Sequence, residues 1–287
     1  MIRVVPQTTQ RRERVRRMVL TDRDQRTVMW INEVGVATRE HVQETFFGPG
    51  GRSRCQQRLT LLFRQRYLDR LPGRTPNAPD IYCISRRSTK GIRLIRAAGA
   101  AVDLARRPSG SRLQHTLQLV GCRVKLVRAC ADAGVTIVRW LRERDLLEMM
   151  GSSGILPDAY IQLSRVNSSG EEKKSAFFLE VERSDKADRA LREKFRRYGK
   201  FYYWGDFKRK FGVGALRVLV LIGSDYGILP ERRVEKMAAL AEETRVTFLR
   251  FAPLAVFLEA STEEVLTDSI WRRPGETDLS PLFQANV

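Results

Sequence analysis

Two carboxylates stand at the end of an apolar run in the second half of the chain. The stretch "AFFLEVERSD", residues 176–185, reads as a buried strand that ends on Glu180 and Glu182, with only Val181 between them. Because side chains on a strand alternate between its two faces, Glu180 and Glu182 project to the same side. A strand of this kind delivers two acids to one place, so the pair is the first candidate site in the chain.

A third acid, Asp158, follows Pro157 at the start of the preceding predicted strand. The polar stretch "NSSGEEKK" between the two strands is typical of a hairpin loop. Asp158 and Glu180 meet only if the strands pair in one register, which the sequence does not fix. If they meet, their carboxylates and the Val181 carbonyl form an oxygen cage suited to Mg²⁺ or Mn²⁺. Such an ion polarises a phosphodiester and activates a water.

The elements that must position these acids follow a definite order. Hydrophobic periodicity predicts a helix, a strand, a two-stranded hairpin, a helix with Ser184 as its N-cap, and then a buried strand of parallel type. A further helix and a last strand follow. The predicted ranges are 111–134, 135–141, 157–165, 175–183, 184–204, 216–224, 229–244 and 246–252. The core order is α-β-β-β-α-β, which predicts an α/β domain over residues 112–258.

The charge of the chain points to a polyanionic partner. Of its 287 residues, 52 are Lys or Arg and 33 are Asp or Glu, a formal net charge of +19. Residues 1–110 carry 23 basic and 9 acidic side chains, a balance of +14, and the remainder has a balance of +5. Nucleic acid is therefore the leading candidate partner, and the basic half is where we expect it to bind.

The basic half reads as three helices and a strand hairpin. Thr21 caps a helix that begins at Asp22, Thr38 starts a second, and Ser53 opens a third. Strand-like runs at 67–73 and 78–85 then surround a turn. This is the layout of a winged helix over residues 18–96. The third helix would read bases and the wing would contact phosphates through Arg52, Arg54, Gln57, Arg58, Arg70 and Arg74. The alternative is a winged helix that docks protein partners.

Other classes of protein fit less well. No apolar stretch is long enough to span a bilayer, so we expect no membrane association. The cysteines Cys55, Cys83, Cys122 and Cys130 are widely spaced and form no CxxC pair, which predicts a reduced, cytoplasmic protein without a disulfide framework or a zinc site. Residues 97–111 contain the Pro, Gly and Ser of a linker. Residues 259–287 form a tail for which the sequence offers no interpretation.

These features together carry a family resemblance. "PD" at 157–158, a hairpin, and "EVE" at 180–182 within the α-β-β-β-α-β order resemble the PD-(D/E)xK nuclease fold, that of restriction endonucleases. More narrowly, stretches such as "LTDRDQRTVMWINEVGVATREHVQETFF", "LPDAYIQL", "FFLEVERSD" and "LREKFRRYGKFY" resemble the replication-relaxation family of plasmid and conjugative-element proteins, which is similar to the MobC-type relaxases. The resemblance extends from about residue 20 to about residue 255. It implies DNA binding, with metal-dependent nicking or relaxation in some members.

One departure from the family pattern concerns the lysine. Glu182 occupies the place of the usual Lys, although some nucleases of this fold use Glu there and others take the Lys from the following helix. Lys194 is the candidate on that helix, because its neighbours at helical spacing are apolar. The alternative for Lys194 is a lysine with a buried stem and a solvated ammonium.

Two further residues are weaker candidates, and simpler alternatives remain for the acids. His115 could serve as a base, although a core histidine is the commoner reading. Glu143 could be a further acid, although a surface position is the simpler reading. Tyr198, Tyr202 and Tyr203 are better explained as packing than as nucleophiles. Glu180 and Glu182 could instead be a solvated strand end, or pair with Arg142 and Arg183.

The sequence thus predicts a cytoplasmic DNA-binding protein of a mobile element. Its first domain would bind double-stranded DNA at a plasmid or conjugative-element origin. Its second domain would nick one strand in mobilisation or replication, with Asp158, Glu180, Glu182 and Lys194 as catalytic residues and Asp158 and Glu180 holding Mg²⁺ or Mn²⁺. Proteins of the mobilisation machinery are further expected partners. The alternative is a DNA-binding regulator or replication accessory protein whose nuclease domain is degenerate, and Glu182 in place of Lys leaves both open.

Overall fold

The structure, a computed structural model, describes residues 18–73, 78–103, 108–166, 170–183, 186–223, 229–267 and 269–282. The chain divides into two compact units between Val120 and Gly121. Helices and strands alternate in both units, so the predicted α/β class is confirmed. In the described part of the chain, no helix has the length and apolarity needed to cross a membrane.

The first unit contains helices α1 to α4 and a small sheet of three strands among its described residues. In chain order, the elements are α1 (Asp22–Val34), β1 (Ala37–Thr38), α2 (Arg39–Phe46), α3 (Arg52–Arg64), β2 (Leu68–Leu71), β3 (Ile81–Ile84) and α4 (Thr89–Ala97), and α5 (Gly110–Asp132) begins here. The strands pair antiparallel in the order β1-β3-β2. Val28, Ile31, Val42, Leu59 and Leu62 are almost completely buried, so α1 to α3 share one apolar core.

The helix starts of this unit follow the capping residues in the sequence. Thr21 and Thr38 are N-caps of α1 and α2, each in a capping box, as predicted. The third helix begins at Arg52 with Gly51 as N-cap, so the prediction that Ser53 opens it was wrong by one residue. Gly51 lies close to Phe47, and a Cβ there would be 2.6 Å from the Phe47 carbonyl, which favours glycine at this tight connection.

A charge pair joins helix α3 to the start of α1. Arg58 Nε donates to Asp24 Oδ1 at 2.9 Å, and its Nη2 donates to Asp24 Oδ2. The Asp24 side chain is 2% exposed. Burial opposes its ionisation, but hydrogen bonds from Arg58 and Thr21 outweigh that effect and lower the pKa of Asp24. Arg58 is therefore part of the structural framework of the first unit.

The second unit is built on one mixed sheet. Its elements, in chain order, are β4 (Thr136–Arg142), α6 (Glu143–Met150), β5 (Ala159–Val166), β6 (Glu172–Glu182), α7 (Asp188–Tyr203), α8 (Asp206–Phe211), β7 (Leu216–Ile222), α9 (Pro230–Glu243), β8 (Leu249–Pro253), α10 (Leu254–Glu259), α11 (Thr262–Thr267), β9 (Trp271–Arg272) and β10 (Leu279–Ser280). The described strands run in the order β10-β9-β8-β7-β6-β5-β4. β4, β5 and β6 are antiparallel neighbours, and β7 and β8 run parallel to β6.

Helices α7 and α9 are the crossovers between the parallel strands, and they pack on the same face of the sheet. Phe178 of β6 contacts the aromatic rings of Tyr198, Phe201 and Phe207 at centroid distances of 5.8–6.2 Å. Residues 180 and 182 share the face of Phe178 because strand side chains alternate. The face that bears the two acids is therefore the one that α7 covers.

Two features of this unit differ from the sequence-based expectations. α7 begins at Asp188 with Ala187 as N-cap, so the prediction of Ser184 as its cap was wrong, and Ser184 itself lies outside the described residues. The segment without an interpretation contributes α11, β9 and β10. Trp271 of β9 is fully buried, and its indole N–H donates to the Val265 carbonyl at 3.3 Å. The sheet thus extends into the predicted tail.

The four cysteines are free thiols buried in the two cores. Burial raises the pKa of Cys55 to about 12 and that of Cys130 to about 11. Both thiols therefore stay protonated at neutral pH and act as small apolar groups, as the sequence suggested.

Candidate active site

The register of the β5–β6 hairpin brings the predicted acids together. Ala159 pairs with Leu179, so the preceding residue, Asp158, stands opposite Glu180. Asp158 Oδ2 accepts a hydrogen bond from the Val181 N–H at 2.8 Å, which fixes the Asp158 carboxylate against the end of β6. The register that the sequence left open is therefore the one that juxtaposes Asp158 and Glu180.

Glu180 lies at the centre of the cluster and is 7% exposed. Its Oε2 is 3.0 Å from Lys194 Nζ, and its Oε1 accepts a hydrogen bond from the Tyr198 hydroxyl. Lys194 and Tyr198 are four residues apart on α7, one turn of helix, so they present their polar ends to the same strand. Both oxygens of the buried carboxylate thus have a partner from α7.

Glu182 is 5% exposed and shares Lys194 with Glu180. Its Oε2 lies 3.6 Å from Lys194 Nζ and 2.8 Å from Lys186 Nζ. Lys194 is therefore paired with both acids, and more closely with Glu180 than with Glu182. Since both acids are buried, the alternative of a solvated strand end is wrong. Arg142 pairs with Asp145.

Burial and charge act against each other in this cluster. Burial raises the pKa of Glu180 above its usual 4.5, and Asp158 adds to the rise, while Lys194 and Tyr198 act in the opposite direction. Burial alone would lower the pKa of Lys194, but Glu180 and Glu182 hold that pKa above its usual 10.5. Burial and Glu180 raise the pKa of Tyr198 well above 10, so its hydroxyl stays a donor. Lys194 is accordingly a cation across neutral pH.

The chemistry of the donor set is compatible with a hard divalent cation. Asp158 and Glu180 are carboxylates that stand opposite each other at the end of the β5–β6 hairpin. Mg²⁺ is commonly held by one or two carboxylates together with waters and substrate phosphates. Among the described residues, no group of three or more His, Cys, Asp or Glu side chains is arranged to hold a metal. An ion at Asp158 and Glu180 would therefore take its remaining ligands from water and phosphate.

Two further catalytic candidates, Glu143 and His115, were weaker predictions. Glu143, at the start of α6, is exposed, and its backbone N–H donates to the Asp158 carbonyl at 2.9 Å. His115 lies on α5 within the first unit and is partly exposed. The catalytic roles proposed for both residues stay predictions.

Sequence reasoning missed two members of the cluster. Tyr198 was read as packing, yet its hydroxyl binds Glu180, and Lys186 was not considered. The spacing of Tyr198 one turn beyond Lys194 was an available signal for it. The position of Lys186 depends on how the chain leaves β6, for which the sequence carries no local signal.

The predicted nucleic-acid contacts have several different environments. Arg52, Arg54 and Gln57 are exposed on α3. Arg58 is held by Asp24, and Arg70 by Asp80 at 3.2 Å with its guanidinium 4.9 Å from the Phe63 ring centroid. Arg74 lies outside the described residues. Of the predicted contacts on α3, Arg52, Arg54 and Gln57 are therefore exposed, whereas Arg58 is partly buried.

Comparison with known proteins gives one match. A family model described as replication-relaxation matches residues 28–216, about two thirds of the chain. The matched range extends from within α1 to the start of β7 and includes Asp158, Glu180, Glu182 and Lys194. No curated protein and no solved structure matches the chain.

The ion pairs of Lys194 generate a prediction about stability. Lys194→Met keeps the buried stem but leaves Glu180 and Glu182 without their shared cation, so we expect a loss of about 2–4 kcal/mol of unfolding free energy near neutral pH. The control Lys236→Met breaks the exposed pair of Lys236 with Asp188 and should change stability by less than about 1 kcal/mol.

The pH dependence of this loss follows from the pKa shifts. Acidification protonates Glu180, whose pKa is raised, and thereby removes the unpaired buried charge, so the deficit of Lys194→Met should shrink at mildly acidic pH. In the unsubstituted protein the Lys194 contribution persists until the pH rises above 10.5. Denaturant unfolding at neutral and at mildly acidic pH measures the difference in unfolding free energy between Lys194→Met and the unsubstituted protein. Equal losses of unfolding free energy in Lys194→Met and Lys236→Met would contradict the ion pairs described for Lys194. A Lys194→Met loss that does not change with pH would also contradict them.

Proposed function

This chain belongs to the replication-relaxation family, and we propose that it binds DNA through its first unit and nicks one strand at the Asp158–Glu180–Glu182–Lys194 cluster of its second unit. Membership of the family indicates a function related to the replication or relaxation of a mobile element. The observation that carries the finer proposal is the convergence of four separately predicted residues on one partly buried spot. Three come from the ends of paired strands, and Lys194 comes from the following helix.

The exposure of the cluster supports access by a DNA phosphate. Glu180 and Glu182 are buried, whereas Asp158 is partly exposed and the Lys194 side chain is 25% exposed. The cluster is therefore open to solvent at one carboxylate and one ammonium. A phosphodiester that approaches there meets Lys194 first as a hydrogen-bond donor, and Asp158 as a carboxylate beside it.

The chain's own residues divide the chemical work as follows. The ammonium of Lys194 stabilises negative charge that develops on the phosphate in the transition state. Glu182 and Glu180 hold that ammonium in place, and Tyr198 orients Glu180. Asp158 and Glu180 would hold Mg²⁺ or Mn²⁺, and a bound ion would polarise the phosphate and activate a water.

The first unit supplies the DNA-binding half of the proposal. Helices α1 to α3 followed by the β2–β3 hairpin fit a winged helix, in which α3 lies in the major groove. Its exposed Arg52, Arg54 and Gln57 are side-chain types that read guanine and adenine or bind phosphate. The balance of +14 in residues 1–110 favours a polyanion at this unit.

A second candidate function is that of a DNA-binding regulator or replication accessory protein with an inactive second unit. The observation that favours it is the saturation of the acids. Both oxygens of Glu180 have partners on α7, and Glu182 is paired with Lys186 and Lys194. An arrangement of this kind can also serve stability alone. The two functions make different predictions for the loss of Asp158: the nuclease would lose nicking, whereas the regulator would change only in stability.

The nicking proposal predicts a metal-dependent conversion of supercoiled plasmid to the nicked form by the full chain. The plasmid carries the cognate origin, Mg²⁺ or Mn²⁺ is supplied, and EDTA should stop the reaction. Asp158→Asn keeps the shape of the side chain and should reduce the rate at least ~100-fold, because a predicted metal ligand is lost. Glu148→Gln, at an exposed acid on α6, is the control and should retain the rate.

Gel electrophoresis of plasmid forms measures this reaction. Undiminished nicking by Asp158→Asn would exclude the cluster as the site. Absence of nicking with every divalent metal, in protein that still binds the origin, would select the regulator.

The DNA-binding proposal predicts different outcomes for neighbouring arginines of α3. Replacing Arg52 and Arg54 together by Ala should lower duplex affinity about 10-fold and weaken its salt dependence, without changing the melting temperature. Arg58→Ala should lower unfolding free energy by about 1–3 kcal/mol, because Asp24 loses its partner. Replacing Arg232 and Lys236, exposed cations of α9, by Ala is the charge-matched control. Fluorescence anisotropy and thermal melting of the full chain separate the two effects.

The comparison between variants decides the assignment. An equal loss of affinity in the α9 control would mean that net charge, and not α3, governs binding. No measurable duplex binding at low salt would favour a winged helix that docks a protein partner.

A further inference from the structure

Two large aromatic side chains stand in solvent at the end of α7. Tyr203 is 56% exposed and Trp204 is 68% exposed, whereas Phe195, Phe201 and Phe207 nearby are buried. Exposed aromatic side chains that adjoin one another are a common mark of an interaction surface. None of the steps proposed for the buried cluster uses them.

The Tyr203 side chain and the backbone of Trp204 are held in place by several contacts. The Tyr203 hydroxyl donates to the Arg245 carbonyl at 3.3 Å, and its ring lies 5.7 Å from that of Phe248. The Trp204 N–H donates to the Lys200 carbonyl at 3.0 Å, and Arg209 donates to the Trp204 carbonyl at 3.3 Å. A surface that is already ordered loses little conformational entropy when it binds.

A basic side chain lies over the Trp204 ring, and further exposed basic residues follow it in the chain. Lys200 Nζ lies 5.7 Å from the Trp204 ring centroid, and Lys208 and Lys210 are exposed on α8, directly after it. In the sequence from 199 to 211, Asp206 is the acidic residue, and it pairs with Arg209. Trp204 therefore has one cation at its ring and exposed lysines close by in the chain, which favours a partner that combines negative charge with planar apolar faces.

We propose that the Trp204 platform, formed by Lys200, Tyr203, Trp204, Lys208 and Lys210, binds single-stranded DNA. Unpaired bases stack on Trp204 and Tyr203 while the lysines contact phosphates. A duplex keeps its base faces stacked on one another and offers no face to an exposed indole. An acidic peptide would satisfy the lysines but leave the rings in water. The proposal adds a substrate class to the nicking function and rests on it only for its biological purpose.

The position of the platform fits a strand that also reaches the buried cluster. Trp204 follows Lys194 by ten residues, which is about 15 Å along a helix. Both belong to the second unit, so one extended strand along α7 could contact the platform and the Lys194 ammonium. The platform would thereby hold the unpaired strand that nicking requires.

The test uses the full chain and a fluorescently labelled oligothymidylate, with affinity measured by anisotropy. Trp204→Ala should weaken binding about 5- to 150-fold, which is the range for loss of one stacked base. Trp204→Phe keeps an aromatic face and should retain most of the affinity. Leu147→Ala removes a side chain that is 62% exposed elsewhere in the same unit, and it should have no effect. Affinity for a blunt duplex should change less than about twofold in every variant.

Other outcomes would overturn the proposal. If Trp204→Ala binds oligothymidylate with unchanged affinity, or loses as much affinity for duplex as for oligothymidylate, base stacking on the Trp204 ring is excluded. Displacement of the oligonucleotide by polyglutamate, with Trp204→Ala weakening both ligands alike, would assign the surface to an acidic polypeptide. Thermal melting checks that the substitution leaves the fold intact, and Trp204→Phe distinguishes loss of the ring from loss of structure.

Asp158→Asn separates this proposal from the nicking function. Trp204-dependent binding that persists in Asp158→Asn, together with no nicking by the unsubstituted protein, would reject the chemistry and keep the platform. If nicking requires Asp158 and Trp204→Ala changes neither nicking nor single-strand binding, the nicking function is kept and the Trp204 platform is rejected.

Discussion

Burial of the Glu180 carboxylate is the constraint on which the second unit depends. A buried charge is tolerated only when partners offset its desolvation, and β6 supplies none of them. Lys194 and Tyr198 must come from α7, so that helix has to lie on the face of the sheet that carries Glu180. The aromatic packing of Phe195 and Phe201 against the sheet holds α7 in this place. Packing and electrostatics therefore specify the same position for one helix.

Local signals explain why much of the fold was predictable. Thr21 and Thr38 cap their helices through contacts within four residues, and the apolar run at 216–222 is typical of a parallel strand whatever surrounds it. Elements that depend on distant partners were missed. β9, for example, is a two-residue strand defined by its pairing with β8. The start of α7 likewise depends on how the chain leaves β6, because its N-cap, Ala187, has no capping side chain.

The candidate site shows the same division. Strand alternation sufficed to place Glu180 and Glu182 together, and helical periodicity placed Lys194 on the face of α7 that meets the sheet. The register that brings Asp158 opposite Glu180 could not be predicted, since a shift of one residue would have turned Asp158 away. Arg58 has a distant partner that its type and position did not indicate. It was predicted to contact DNA, and in the structure it is paired with Asp24, 34 positions earlier in the chain.

The most direct test of the account is the pH–rate profile of nicking for the unsubstituted protein and for Tyr198→Phe. Burial raises the pKa of Glu180 above 4.5, and the Tyr198 hydrogen bond partly opposes that rise. If ionised Glu180 is needed, the acidic limb of kcat/KM should lie above that pH and should move to higher pH in Tyr198→Phe. Coincident acidic limbs, or no nicking by either protein, would contradict the claim that this buried carboxylate operates a nuclease site.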